Sequence, residues 1–156
     1  DDKMKSYEET LFTLIETVGG GGNLLLNVGP MPDGRIEPRQ VERLKEIGNW
    51  LNENGESVYG TTGGPYKPVD WLASTRKENA IYIHLLDYEK NEVLLPFPFE
   101  TKFKNCLLLN GEIVTYVYAN ENLVILLPED KKGDPVITFK IETNRSTADL
   151  ETIELN

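Results

Sequence analysis

Between residues 6 and 19 the apolar positions Leu11, Leu14, Ile15 and Val18 recur three and four apart, which gathers them on one face of a helix. Ser6-Tyr7-Glu8-Glu9 fits a capping box, in which hydroxyl and carboxylate each satisfy an orphan amide at the helix start. Gly19 is placed to end the helix in a left-handed conformation. After the glycine run, Leu24-Leu25-Leu26 and Val28 are apolar without alternation, as in a strand of a parallel sheet covered on both faces. Gly29-Pro30-Met31-Pro32-Asp33-Gly34 is turn-rich and breaks that run. A second helix is predicted from near Pro38, with Val41, Leu44, Ile47, Trp50 and Leu51 on its apolar side and Gly55 after its last turn. The order helix, buried strand, helix is a slice of an α/β fold. A single parallel strand leaves its amides and carbonyls without partners. The slice is therefore expected to take its neighbouring strands from polypeptide outside this sequence.

From about Val69 the pattern changes to short strands. Ile81 and Ile83 alternate with Tyr82 and His84, and Val93 to Leu95, Cys106 to Leu109, Leu123 to Leu127 and Val136 to Ile141 continue the series. Asn110-Gly111 is the strongest two-residue hairpin signal and predicts Ile113 to Tyr118 as its return strand. Polar turns at 89–91, 120–122 and 131–134 give the spacing of an antiparallel sandwich. Gly60 to Pro68, with three glycines and two prolines, is the natural junction, and the tail from Asn144 is either a last strand or a frayed end. The fold class expected is an α+β fragment, with residues 1–61 forming the helix–strand–helix slice and 62–156 the sandwich.

Composition narrows the partners more than the fold. Twenty-six acidic residues against 16 basic ones give a net charge of −10, which disfavours nucleic acid and anionic membrane. No apolar run approaches the roughly 20 residues that span a bilayer. Asp1 to Lys5 has no apolar core of a signal peptide, and the chain does not begin like a gene product. One cysteine, Cys106, makes no internal disulfide.

Candidate chemistry is sparse. Gly19 to Gly22 follows a helix and enters a strand, the reverse of a phosphate loop's context, and reads as a connection. Asn27, at the carboxyl end of the buried strand, either offers a donor and an acceptor to sugar hydroxyls or, the favoured reading, braces the turn. The single histidine, His84, reads as a half-exposed strand position, since catalytic or metal-binding histidines work with partners this sequence does not supply. No metal site and no cofactor are expected. A retaining glycosidase needs two carboxylates about 5–5.5 Å apart. Among so many acids spacing alone selects none, and Asp1, Asp2 and Asp33 read as surface or turn residues. Tyr59, Tyr66, Trp71, Tyr82, Tyr116 and Tyr118 are available to stack on sugars, but alternating aromatics more often pack across strands. Trp71 is expected to join the sandwich to the preceding slice.

The blocks Asn23-Leu-Leu-Leu-Asn-Val-Gly-Pro30, Asp33-Gly-Arg-Ile36, Gln40 to Leu51 and Asn54-Gly-Glu-Ser-Val-Tyr-Gly-Thr61 closely resemble the end of the barrel in family 29 glycoside hydrolases, the α-L-fucosidases. Gly63-Gly-Pro-Tyr66 and Ser74-Thr-Arg-Lys77 with Ile81-Tyr-Ile-His84 are similar to the linker and first sandwich strands of bacterial members. The resemblance implies a (β/α)8-like catalytic barrel followed by a β-sandwich, and retaining hydrolysis of terminal α-L-fucose through a covalent glycosyl-enzyme without a cofactor. It places the nucleophile, the acid/base and the fucose-gripping side chains on earlier strands, so none falls within residues 1–156. It also implies fucosylated glycans as substrate, the rest of the catalytic domain as partner, and a periplasmic or extracellular location. The alternatives are a carbohydrate-binding sandwich or a purely structural module. The helix–strand–helix slice argues against the first, and only upstream sequence decides the second.

Overall fold

The computed structural model of the chain describes residues 4–99 and 103–155. Two helices, α1 (Tyr7–Gly19) and α2 (Pro38–Asn54, followed by a 3-10 turn at Gly55–Ser57), precede eight strands. These are β1 (Thr62–Gly63), β2 (Leu72–Lys77), β3 (Ala80–Leu86), β4 (Glu92–Pro96), β5 (Phe103–Leu108), β6 (Tyr116–Ala119), β7 (Asn122–Leu126) and β8 (Val136–Thr143). They form a five-stranded antiparallel sheet ordered β1-β2-β3-β8-β5 and a three-stranded one ordered β4-β7-β6.

The layers follow from the alternation of side chains across a strand. In β3, Ile81, Ile83 and Leu85 enter a core with Val93 and Leu95 of β4 and Leu123 and Ile125 of β7, closed by Tyr66, Phe97 and Phe139. On the opposite face Leu86, Ala73 of β2 and Val136 of β8 meet Leu11 and Ile15 of α1 and Ile47 and Trp50 of α2. The larger sheet is thus covered on both sides, and all of β3 is buried. That explains why β3 carries no charged side chain, where an antiparallel strand commonly has one wet face.

The capping box forms as the sequence dictates: the Glu9 amide donates to Ser6 Oγ at 3.0 Å and the Ser6 amide to Glu9 Oε2 at 2.7 Å. Ser6→Ala should therefore lower the unfolding free energy by about 1 kcal/mol, read from urea denaturation. Gly19, by contrast, does not end the helix in a left-handed turn. It stays helical and buried, because a Cβ there would lie 2.8 Å from Ala73 Cβ; the helix packs directly on β2. The left-handed residue is Gly21, with φ +77°.

Leu24 to Val28 is not a strand. The segment is irregular and mostly exposed, with Leu25 at 83%. No strand among the described residues lies alongside to accept its hydrogen bonds, so an apolar run alone does not produce extended pairing.

The Asn110-Gly111 turn closes as expected, but the return strand is short-lived. Val114 donates to the Cys106 carbonyl at 3.1 Å and Leu107 bridges Ile113, after which the chain crosses to the other sheet and β6 pairs with β7. Val114 is buried in the core between the sheets, and that burial draws the chain across. The β6–β7 hairpin turns at Asn120 and Glu121, both with positive φ. The tail is pinned rather than frayed: the Lys67 amide donates to Ile153 O, and Arg76 Nη1 donates to the carbonyls of Thr147 and Leu150.

Candidate functional site

His84 is fully buried, contrary to the half-exposed placement expected of it, because α1 and α2 cover the face of β3 on which it lies. The Thr75 hydroxyl has one proton and donates it to the Ser57 carbonyl at 2.6 Å. It therefore accepts from His84 Nε2–H at 3.2 Å. Nδ1 is left as acceptor, receiving the Thr138 hydroxyl at 3.1 Å. The order Thr138, His84, Thr75, Ser57 is a directed chain of hydrogen bonds from the sheet to the end of the helix layer. Burial pushes the imidazole pKa down to about 3, so the ring is neutral. With both nitrogens engaged it has no lone pair for a metal and no route for a proton.

A second polar link lies beside it at the surface. Glu56, just past α2, accepts from the Tyr82 hydroxyl at 2.7 Å and from Lys140 Nζ at 2.5 Å. The Lys140 hydrogen bond holds the Glu56 carboxyl below its ordinary range, and burial together with Glu56 raises the Tyr82 phenol. These partners are 26 and 84 residues apart in sequence, which is why no motif announced them. Both donors meet the same oxygen, Glu56 Oε1, and fasten the end of α2 to the sheet.

The remaining nominated residues are dispersed. Asn27 lies exposed on the irregular segment. Asp33 accepts from the Arg35 amide at 3.0 Å and from its guanidinium, which lowers its pKa. Asp1 and Asp2 lie outside the described residues. Tyr66 is buried and donates to the Pro96 carbonyl at 2.8 Å; Tyr118 donates to Phe97 O at 3.2 Å and meets the Phe97 ring edge-on. Tyr116 packs on the core between the sheets, and Tyr59 is exposed. Trp71 lies just before β2 and is partly buried. It packs on the inter-sheet core with its ring 5.5 Å from Tyr88. Trp50 is the tryptophan that joins the two layers.

A groove of about 810 Å³ runs between α2 and β8, past Tyr7, Trp50, Glu46, Glu53, Lys131 and Asp134. Arg43 engages Glu46, and Lys131 stands 3.9 Å from Asp134. Two of its three carboxylates are therefore ion-paired, and the groove carries no free carboxylate pair of the kind retaining hydrolysis uses.

Exposed large apolar side chains occur both within residues 24–44 and on the smaller sheet, where Leu94, Val117 and Leu126 are uncovered. Leu25, Leu26, Ile36 and Leu44 are exposed, and Ile36, Pro38 and Val41 line an apolar hollow. Between them a small loop stands out from α2. Pro30 bridges Ile36, the Met31 amide donates to Arg35 O at 2.7 Å and the Gly34 amide to Met31 O at 2.8 Å. Gly34 has φ +84°, and the Gly29 amide donates to Gln40 Oε1 of α2 at 3.0 Å.

The α-L-fucosidase family model matches residues 1–56. Tissue α-L-fucosidase of Macaca fascicularis is 35% identical over 130 residues, covering 78% of this chain and 27% of that protein. Plasma α-L-fucosidase of Homo sapiens is 34% identical over 135 residues, covering 80% of this chain and 28% of that one. The crystal structure of Thermotoga maritima α-fucosidase superposes with a TM-score of 0.74 at 28% identity, over 90% of this chain and 35% of that chain. An α-L-fucosidase GH29 from Bacteroides thetaiotaomicron gives a TM-score of 0.81 at 24% identity, covering 92% of this chain and 33% of that one, a likeness of fold. These matches place the chain among proteins related to glycoside hydrolases. It is related to the α-L-fucosidases of family 29, is similar to their C-terminal part, and spans about a third or less of their length.

Proposed function

We propose that these residues are the non-catalytic C-terminal portion of a retaining α-L-fucosidase, which releases terminal α-L-fucose from glycans. Residues 1–61 complete a (β/α)8-like catalytic barrel, with Leu24 to Val28 as a barrel strand, and residues 62–156 form a β-sandwich that buttresses it. The observation that carries the reading is the match of residues 1–56 to the fucosidases, joined to the uncovered apolar side chains of Leu25, Leu26, Ile36 and Leu44 within that stretch. Neighbouring barrel strands would bury those leucines and satisfy the backbone of residues 24–28. The nucleophile and the acid/base lie on the earlier strands, about 5–5.5 Å apart as retention requires. The whole enzyme works in the periplasm or outside the cell.

The test is release of 4-nitrophenol from its α-L-fucoside by the full-length protein and by residues 1–156 alone. The full-length protein should turn over and the shorter chain should not. Turnover by residues 1–156 that disappears when one of their own carboxylates is changed would place the active site here and overturn the reading.

A further inference from the structure

We propose that the loop Pro30–Ile36 forms the aglycone-side rim of the substrate cleft and that Asp33 and Arg35 bind the neutral sugar carrying the fucose. The inference rests on the fucosidase reading above and goes one step into its specificity. In a (β/α)8-like barrel the substrate lies at the carboxyl ends of the strands, on the loops that follow them. Leu24 to Val28 is the barrel strand of that reading, so Pro30–Ile36 is the loop that follows it.

The loop is built like a binding element rather than a passive connection. Its tip from Pro32 to Ile36 is exposed, yet the Pro30–Ile36 bridge, the two short amide contacts and the Gly29–Gln40 bond fix its backbone. Rigid exposed loops on a scaffold are where binding residues concentrate. At the tip, Arg35 Nε and Nη2 donate to Asp33 Oδ2 at 2.8 and 2.5 Å. The Arg35 side chain remains 77% exposed, with Nη1 unengaged among the described residues. A carboxylate acceptor locked beside a guanidinium donor matches two neighbouring hydroxyls of a sugar, one donating to Asp33 and the other accepting from Arg35. The pair is internally neutralised and the chain is acidic overall, so it suits a neutral sugar better than a sialylated or sulfated one. Because the two side chains already hold each other, little rotamer freedom is left to lose on binding.

The test compares full-length wild type, Arg35→Ala, Arg35→Lys and the remote control Lys90→Ala on two substrates. One is 4-nitrophenyl α-L-fucoside and the other a fucosyl-galactosyl-glucose trisaccharide. Loss of one charge-assisted hydrogen bond to the trisaccharide should lower the ratio of its kcat/KM to that of the aryl fucoside about tenfold in Arg35→Ala. Arg35→Lys should fall between, and Lys90→Ala should keep the wild-type ratio. An unchanged ratio in Arg35→Ala overturns the assignment while leaving the fucosidase reading standing. Equal loss on both substrates also overturns it, making the loop a scaffold. Wild-type protein inactive on both removes the fucosidase reading and this assignment with it.

Discussion

Gly64→Ala should destabilise the fold by about 4 kcal/mol, combining overpacking with the loss of buried hydrogen bonds. A Cβ at Gly64 would lie 2.2 Å from Ser74 Oγ, 2.6 Å from the Ser74 carbonyl carbon and 2.7 Å from its Cβ. Two of those three atoms are backbone or Cβ and do not move without shifting β2. The third is the centre of a buried clasp: Ser74 Oγ accepts from the Tyr66 amide at 3.0 Å and donates to the Tyr66 carbonyl at 2.9 Å. Pushing it aside leaves both Tyr66 backbone groups unpaired next to the inter-sheet core, which Tyr66 itself closes. Gly48→Ala is the matched control. It lies within α2 with nothing within 4 Å of the added methyl, so it should raise stability by about 0.5–1 kcal/mol. Urea midpoints at neutral pH read both. A Gly64→Ala protein as stable as wild type would mean the approach of the junction to β2 is looser than described.

The second large effect is a pH dependence owed to His84. In the unfolded chain this imidazole takes up a proton near its ordinary value of 6.5, while the folded chain keeps it neutral down to about 3. Between those values the unfolded state binds the proton and the folded state does not. Stability therefore falls with pH there, by about 1.4 kcal/mol per unit from this group, and shows no dependence on it above that range. Glu56 and Asp33, whose pKa values are lowered, add a loss of the same sign as the medium grows more acidic, so the comparison must be with a variant. His84→Gln keeps a neutral side chain of similar reach between Thr75 and Thr138. It should be less stable than wild type at pH 7 and lose less stability on acidification. The gap should narrow by about 2–3 kcal/mol between pH 6.5 and 4.5, measured by urea denaturation at each pH. Parallel pH profiles would show that His84 is hydrated or protonated in the folded protein.

Much of the local structure was legible because it depends on neighbours in sequence. The Ser6–Glu9 box, Pro38 in the first turn of α2, and the strand-rich second half were all in the residue pattern, and they form. The resemblance to the fucosidases was legible for the same reason, since it rests on ordered blocks rather than on geometry. The candidate site was legible only in part. Asp33-Gly34-Arg35 announced a turn, but its closure by the Pro30–Ile36 bridge and its pairing of carboxylate with guanidinium required coordinates. Asn27 had a place in the argument only through a strand that does not form among these residues.

What the sequence by itself determined is each element whose stabilising partners lie within a few residues: the capping box at the start of α1, the helical stripes and the tight turns. What only the tertiary structure decided is which faces those elements bury. His84 sits in a strand whose second face is wet or dry according to whether α1 and α2 lie upon it, and no local pattern encodes that. Gly19 meets Ala73, and Glu56 meets Lys140, across separations that folding alone closes. The run Leu24 to Val28 shows the same principle from the other side. Its composition calls for a strand, but backbone pairing is a property of two strands side by side, and no second strand lies alongside it among the described residues.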